Sequence, residues 1–242
     1  MTRRLRVFAG PNGSGKSTIV KVVKDAGINL GFFCNADEYK KNINSLHYFD
    51  FSDLNITVDP ANFLKSLESS SLYSKMGHSG LPGILKVKDN KLSFPLFYEV
   101  NDYFTSFLAS YVREQLLKNC DKFSFETVMS HPSKLEFMSK AEKEGFKVYL
   151  YFVSLLNPDL NVARVKSRVN EGGHDVPEDK IRERYTRTMK MLLPAIRIAD
   201  EAYIFDNSGD TQNLFAIKKE DTLQLLDGPV PLWFQDYVLN LL

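Results

Sequence analysis

Eight residues near the start of the chain, Gly10-Pro11-Asn12-Gly13-Ser14-Gly15-Lys16-Ser17, match G-x-x-x-x-G-K-S at every defined position. A short apolar run, Leu5–Ala9, precedes them, and a stretch with helical character begins at Lys16. Strand, glycine turn and helix in that order let successive backbone N–H groups curl inward around phosphate oxygens. The helix adds the positive end of its dipole. Gly10, Pro11, Asn12, Gly13, Ser14, Gly15, Lys16, Ser17 and Thr18 are therefore the expected nucleotide-binding residues. Lys16 is expected to reach the β- and γ-phosphates and Ser17 to ligate the metal, with ATP and Mg²⁺ as cofactors. The competing reading is a chance glycine turn, which the complete motif in its strand–turn–helix context disfavours. A P-loop implies a nucleotide without naming the reaction.

The rest of the chain fits the fold that such a loop needs. Short apolar runs alternate with amphipathic stretches, the βαβ rhythm of a parallel sheet covered by helices. Strands are expected at Leu5–Ala9, Phe32–Asn35, Phe123–Thr127, Val148–Ser154 and Ala202–Asp206. Helices are expected from Lys16, from Ala36, from Ser133 with Glu136 at capping-box spacing, from Asn157-Pro158, and from Pro177-Glu178-Asp179. In the last of these, Ile181, Tyr185 and Met189 recur every four residues and should face the sheet. The fold class expected is α/β: a P-loop NTPase with a doubly wound, mainly parallel sheet, a helical lid and an inserted subdomain.

Residues 44–98 break that rhythm. They hold Asp59-Pro60, Ser69-Ser70-Ser71, Gly77, Gly80 and Pro82-Gly83, and end in a hairpin pattern, Ile84–Val87 and Lys91–Phe94, around Asp89-Asn90. We read 1–242 as one domain with 44–98 inserted after the second strand. The insertion's aromatics (Phe49, Phe51, Phe63, Tyr73, Phe94, Phe97, Tyr98) are expected to form a satellite core. Asn101–Lys118 reads as a long helix returning to the sheet, and Phe215–Lys218 with Thr222–Leu226 as a second hairpin.

Composition excludes some functions. The 31 basic and 30 acidic residues leave a net charge of +1, without the basic excess that phosphate-neutralising nucleic-acid binders carry. The two cysteines, Cys34 and Cys120, show no pairing pattern and suit a reducing compartment. Leu5–Ala9 is too short for a signal-peptide core, and no apolar run could span a bilayer. The expected location is the cytoplasm. His47, His78 and His131 lack metal-ligand spacing, so no zinc site is expected.

The same glycine loop occurs in ABC transporter ATPases, but the chain has neither an L-S-G-G-Q-like segment nor a strand ending in Asp-Glu. Beyond the P-loop it carries Asn35-Ala36-Asp37-Glu38, then Phe125-Glu126-Thr127, then Arg168-Val169 through Gly172-Gly173-His174-Asp175-Val176-Pro177, ending in Arg184-Tyr185 and Arg187. With these blocks in order, the chain resembles the zeta toxin family of P-loop kinases, especially the chromosomal branch often labelled predicted ABC-type ATPases. Residues 44–98 lie outside the resemblance.

The resemblance implies that Asp37 is the base toward the acceptor hydroxyl, a sensible role for a carboxylate at the carboxyl edge of the sheet. The alternative is a helix cap, since Asn35-Ala36-Asp37-Glu38 is also good capping chemistry. It implies that Glu126 and Thr127 bind substrate or orient water around Mg²⁺; the alternative is a polar strand end bonded to a loop. Arg164 and Arg168 share one helix face, and Lys180, Arg184 and Arg187 another. Flanking a glycine-rich turn, they suit a lid over the triphosphate, with Arg168, Arg184 and Arg187 as catalytic candidates beside Lys16. The alternative is a solvated charged face paired with Glu178, Asp179 and Glu183. His174 reads as a turn-stabilising group, and Asn207 as an adenine contact or part of a turn. The resemblance also implies a small-molecule acceptor such as a UDP-N-acetylamino sugar, and an antitoxin partner. The competing function is an ATP-hydrolysing switch without such an acceptor.

Overall fold

A computed structural model of the protein describes residues 2–76, 81–173 and 175–242, with the backbone alone at Leu81 and Pro82. Gly77, His78, Gly80 and His174 lie outside the described residues. The chain clusters into two compact units, residues 1–31 with 121–242, and residues 32–120.

The first unit begins with β1 (Arg3–Ala9) and α1 (Lys16–Asp25). The second unit supplies β2 (Phe32–Cys34), α2 (Ala36–Leu46), β3 (Tyr48–Asp50), α3 (Pro60–Glu68), α4 (Leu81–Ile84), β4 (Lys86–Lys88), β5 (Lys91–Ser93) and α5 (Asp102–Asn119). The first unit then resumes with β6 (Lys122–Thr127), α6 (Ser133–Lys143), β7 (Phe146–Ser154), α7 (Pro158–Asn170), α8 (Glu178–Ile198), β8 (Glu201–Asp206), β9 (Asn213–Lys219), β10 (Thr222–Leu225) and α9 (Leu232–Tyr237). Among the described residues no helix is long and apolar enough to cross a membrane.

In the first unit the strand order is β10-β9-β8-β7-β1-β6. The strands from β6 to β8 run parallel, and β9 and β10 add antiparallel. Register aligns Leu5, Val7 and Ala9 of β1 with Phe123, Phe125 and Thr127 of β6, and with Val148, Leu150 and Phe152 of β7. Apart from Thr127, which ends its strand, that row is fully buried. It packs against Phe137 of α6, whose ring lies 5.7 Å from Phe125. The opposite face carries a stacked ladder, Phe8 on Tyr151 at 4.9 Å and Tyr151 on Tyr203 at 5.1 Å. Each such pair adds about 0.5–1.5 kcal/mol to the burial itself. Burial on both faces explains why β7 is apolar almost without alternation, whereas in β1 the arginines are confined to its first four residues. Ile181, Tyr185 and Met189 of α8 are buried, as their spacing requires.

The register has a functional consequence. Ala9 ends opposite both Thr127 and Phe152, so the residues following β1, β6 and β7 gather at one carboxyl edge. Ligands of α/β sheets collect at such edges.

Ser133 does not cap α6. It is the first helical residue, preceded by Pro132 at the cap position, and its N–H donates to His131 Nδ1 at 3.2 Å. The ring nitrogen, two residues upstream, takes the donor that the capping box would have used.

In the second unit, β3, β5 and β4 form a small antiparallel sheet. Asp89 and Asn90 both have positive φ, the backbone of a tight two-residue hairpin turn. Asn90 also accepts from the Val58 N–H and donates to the Ile56 carbonyl, stitching the segment before α3 onto the turn. Ile84 ends α4 and does not start β4, while Tyr48–Asp50 adds a strand absent from the sequence expectation. Phe49, Phe51 and Phe63 pack edge to face and continue into Phe107 and Tyr111 of α5. Phe97 is not part of this core: it is 85% exposed. The turn closed by Tyr98 N–H on the Pro95 carbonyl stacks Phe94 on Tyr98 inside and turns Leu96 and Phe97 outward.

Candidate active site

The loop from Gly10 to Gly15 joins β1 to α1, the strand–turn–helix order expected from the sequence. Gly15 has φ 97°, left-handed, and a methyl group there would overlap the Asn207 side-chain amide. A methyl group at Gly10 would overlap the Val153 carbonyl oxygen at the end of β7. Both glycines are needed so that neighbouring groups can close on the loop.

Lys16 is 8% exposed, and its Nζ donates to the Pro11 carbonyl at 3.0 Å. Glu126, one residue before the end of β6, faces the same point. Its Oε1 lies 4.0 Å from Lys16 Nζ, and its Oε2 accepts from Ser17 Oγ at 3.1 Å. An ammonium, a hydroxyl and a carboxylate thus converge at the mouth of the loop. Mg²⁺ in phosphate sites takes one or two protein oxygens and fills its octahedron with phosphates and water. Ser17 and Glu126 are a fitting pair of that kind. Among the described residues no group of three His, Cys, Asp or Glu could hold a metal by itself.

The loop is held from outside by side chains distant in sequence. Asn161 Nδ2 on α7 donates to the Asn12 carbonyl at 2.6 Å. Asn207 Nδ2 donates to the Ser14 carbonyl at 2.9 Å, and Gln212 Nε2 to the Gly15 carbonyl at 3.2 Å. Arg164 Nη2 donates to the Asn207 carbonyl at 2.7 Å. Asn207 and Gln212 begin and end the connection between β8 and β9. Asn161, Gln212 and the role of Arg164 were missed from sequence. For Asn161 a signal existed, since it is a polar residue four positions before Val165 on the buried stripe of α7.

Thr127 closes the turn after β6, its Oγ1 accepting from the Met129 N–H at 3.0 Å. Thr188 of α8, fully buried, donates to the Val128 carbonyl at 2.7 Å and anchors the helix to that turn. Tyr185 OH donates to the Leu155 carbonyl at 3.1 Å, and burial pushes the phenol up to about 12.

The arginines divide. Arg182 joins Asp159 at 2.7 Å and Glu178 at 2.8 Å, and Arg187 joins Glu183 at 3.2 Å. Arg184 is half-buried and, among the described residues, has no hydrogen-bond or ion-pair partner. Arg168 is exposed and lies under Gly173, whose N–H donates to the Arg168 carbonyl at 2.9 Å where α7 ends.

Asp37 belongs to the second unit, exposed in the first turn of α2. Asn35 does the capping: its Oδ1 accepts from the Asp37 N–H at 2.9 Å, leaving the Asp37 carboxylate outside the cap. Cys34, just before, is buried beside Tyr39 and Arg113, and burial pushes its thiol from 9.0 up to about 11. That thiol stays protonated near neutral pH and is no nucleophile.

No protein-family model matches the chain. An uncharacterized protein of Haemophilus influenzae (strain ATCC 51907 / DSM 11121 / KW20 / Rd) is 36% identical over 63 residues, 26% of this chain and 45% of that one. Among solved structures, a chain of the AvrRxo1-ORF1:AvrRxo1-ORF2 complex with sulphate ions matches with TM-score 0.56 at 13% identity, covering 93% of this chain and 61% of that chain. The same complex with ATP matches with TM-score 0.55 at 15% identity, covering 93% and 60%. The chain therefore spans about three fifths of the length of those structures' chains and less than half of the curated relative. At such identities the likeness to the solved structures is one of fold, and the P-loop α/β fold expected from the sequence is the fold observed.

Proposed function

We propose that the protein is an ATP- and Mg²⁺-dependent kinase of the zeta toxin type, transferring the γ-phosphate to a hydroxyl of a small-molecule acceptor. The observation that carries this reading is the convergence of Lys16, Ser17 and Glu126 on one glycine loop. The fold shared with a complex crystallised with ATP supports the choice of nucleotide.

In this reading the loop N–H groups and Lys16 bind the β- and γ-phosphates, and Ser17 and Glu126 hold Mg²⁺. The metal, when bound, offsets charge on the phosphate oxygens. Arg184, with no anion of its own among the described residues, stabilises the negative charge that grows on the transferred group. Asp37 takes the proton from the attacking hydroxyl. Its release from capping duty supports that role. The first acceptor to test is a UDP-N-acetylamino sugar, and the inserted segment 44–98 is assigned to acceptor recognition. A partner protein with antitoxin function belongs to the same reading.

The test is mass spectrometry of a reaction with ATP, Mg²⁺ and a panel of nucleotide sugars and cell metabolites, with Asp37→Asn as control. A phosphorylated acceptor formed by the intact protein and reduced about 10²–10⁴-fold in the variant is the expected result. ADP and free phosphate alone, equally fast in both, would replace the kinase with an ATP-hydrolysing switch.

A further inference from the structure

The connection between β8 and β9 is short, and its first and last side chains, Asn207 and Gln212, donate to carbonyls of the phosphate loop. Asn207 is 8% exposed and fixed at three points. Its N–H donates to the Ser154 carbonyl at 2.9 Å, its carbonyl accepts from Arg164 at 2.7 Å, and its side-chain amide donates to the Ser14 carbonyl at 2.9 Å. Gln212 reaches the Gly15 carbonyl from the other end of the same connection. Asp206, just before, accepts from the Ser208 hydroxyl and from Trp233 Nε1 of α9, both at 2.9 Å.

A trans peptide is planar, with its C=O and N–H on opposite sides. A donor that holds the Ser14 carbonyl outward therefore turns the Gly15 N–H to the inside of the loop. Gln212 on the Gly15 carbonyl does the same for the Lys16 N–H. Inward N–H groups are what a phosphate oxygen binds.

We propose that Asn207 is a positioning residue for the phosphate cradle, seconded by Gln212, and that its amide serves the loop backbone and not the nucleotide base. This rests on the nucleotide-binding reading above and adds to it which distant residues set the cradle's shape. The amide is already committed to Ser14, and Arg164 and the Trp233–Asp206 bond hold the connection in place behind it.

The experiment is calorimetric binding of ATP and of inorganic tripolyphosphate, each with Mg²⁺, to the full chain and to Asn207→Asp, from pH 8 to pH 5.5. The substitution keeps the shape but sets a carboxylate against the Ser14 carbonyl. The expected loss is about ten- to a hundredfold at pH 8, equal for both ligands, since tripolyphosphate has no base. A carboxylate facing a carbonyl holds its proton more tightly, and once protonated it again offers a donor. The deficit relative to the unmodified chain should therefore shrink as pH falls.

A deficit for ATP alone would make Asn207 a base contact and overturn the proposal. No deficit for either ligand would make it a bystander. An equal deficit that ignores pH and accompanies a lower melting temperature would reduce its role to general stability. If Asn207→Asp does not fold, Gln212→Met, at a half-exposed position, carries the same comparison with a smaller equal loss expected. An unmodified chain that binds neither ligand would overturn the nucleotide reading itself, a result distinct from binding by both chains alike.

Discussion

The Ser17 hydroxyl donates to the Glu126 carboxylate across 3.1 Å, joining the first turn of α1 to the end of a strand 109 residues later. Phe8 lies directly opposite Glu126 in the β1–β6 register, so the pairing of two parallel strands delivers the carboxylate to the mouth of the loop. In the function proposed above, that contact brings the carboxylate to where a metal–nucleotide complex would use it.

Glu126→Gln preserves the size of that side chain and removes its charge. ATP affinity measured without Mg²⁺ should hold or tighten, because a negative neighbour of the phosphates is gone. Turnover with Mg²⁺ should fall about a hundredfold or more. Nucleotide titrations with and without Mg²⁺, paired with steady-state rates, check both halves. Unchanged turnover would remove Glu126 from the site.

Arg184 and Arg187 sit three residues apart with different surroundings. Arg187 spends its charge on Glu183, whereas Arg184 has no partner among the described residues. Arg184→Ala should cost about 10²–10³-fold in turnover, below the upper range for a transfer-stabilising arginine. Arg187→Ala should cost less than about tenfold, since its exposed pair contributes little. The reverse order in a rate comparison would exchange their roles.

Thr188 tests the anchor between α8 and the turn after β6. Thr188→Val keeps the shape and leaves the fully buried position without its bond to the Val128 carbonyl. A loss of about 1–3 kcal/mol in urea unfolding is expected, with the denaturant slope unchanged.

Cys34 makes alkaline stability measurable. Its folded pKa, about 11, stands above the unfolded 9.0 because burial disfavours the thiolate. The folded state therefore keeps a proton that the unfolded chain has lost. The stabilisation is fully present below pH 9 and is lost as pH rises through 11, with a total of about 2–3 kcal/mol. Cys34→Ala should flatten that part of the stability–pH curve relative to the unmodified chain. Parallel curves across pH 9–11 would show that the thiol does not ionise there.

Local chemistry made much of the architecture readable. The four parallel strands of the first unit are placed by their apolar runs, and α7 starts where Asn157-Pro158 predicts, with the Asn157 side chain accepting from the Leu160 N–H. The misreadings came where two local rules competed. At α6 a histidine ring nitrogen took the donor expected to go to a capping box. In the loop before α5, a proline turn set which aromatics face inward, which hydrophobicity alone cannot tell, so Phe97 was counted into a core that it does not join. Asn207, expected as an adenine contact or part of a turn, places its side-chain amide on the Ser14 carbonyl, a partner no local pattern names.

The sequence by itself determined the phosphate loop and its neighbours, because eight contiguous residues dictate that backbone and every requirement is met within one turn. It also determined the helix start that carries Asp37, for the same reason of short range. Only the tertiary structure decided which carboxylate meets Ser17, which amides brace the Ser14 and Gly15 carbonyls, and which arginine is left with its charge unspent. Those choices depend on strand register and helix packing across 100 to 200 residues. There, a one-residue shift would turn Glu126 to the other face, and no local pattern records the partner.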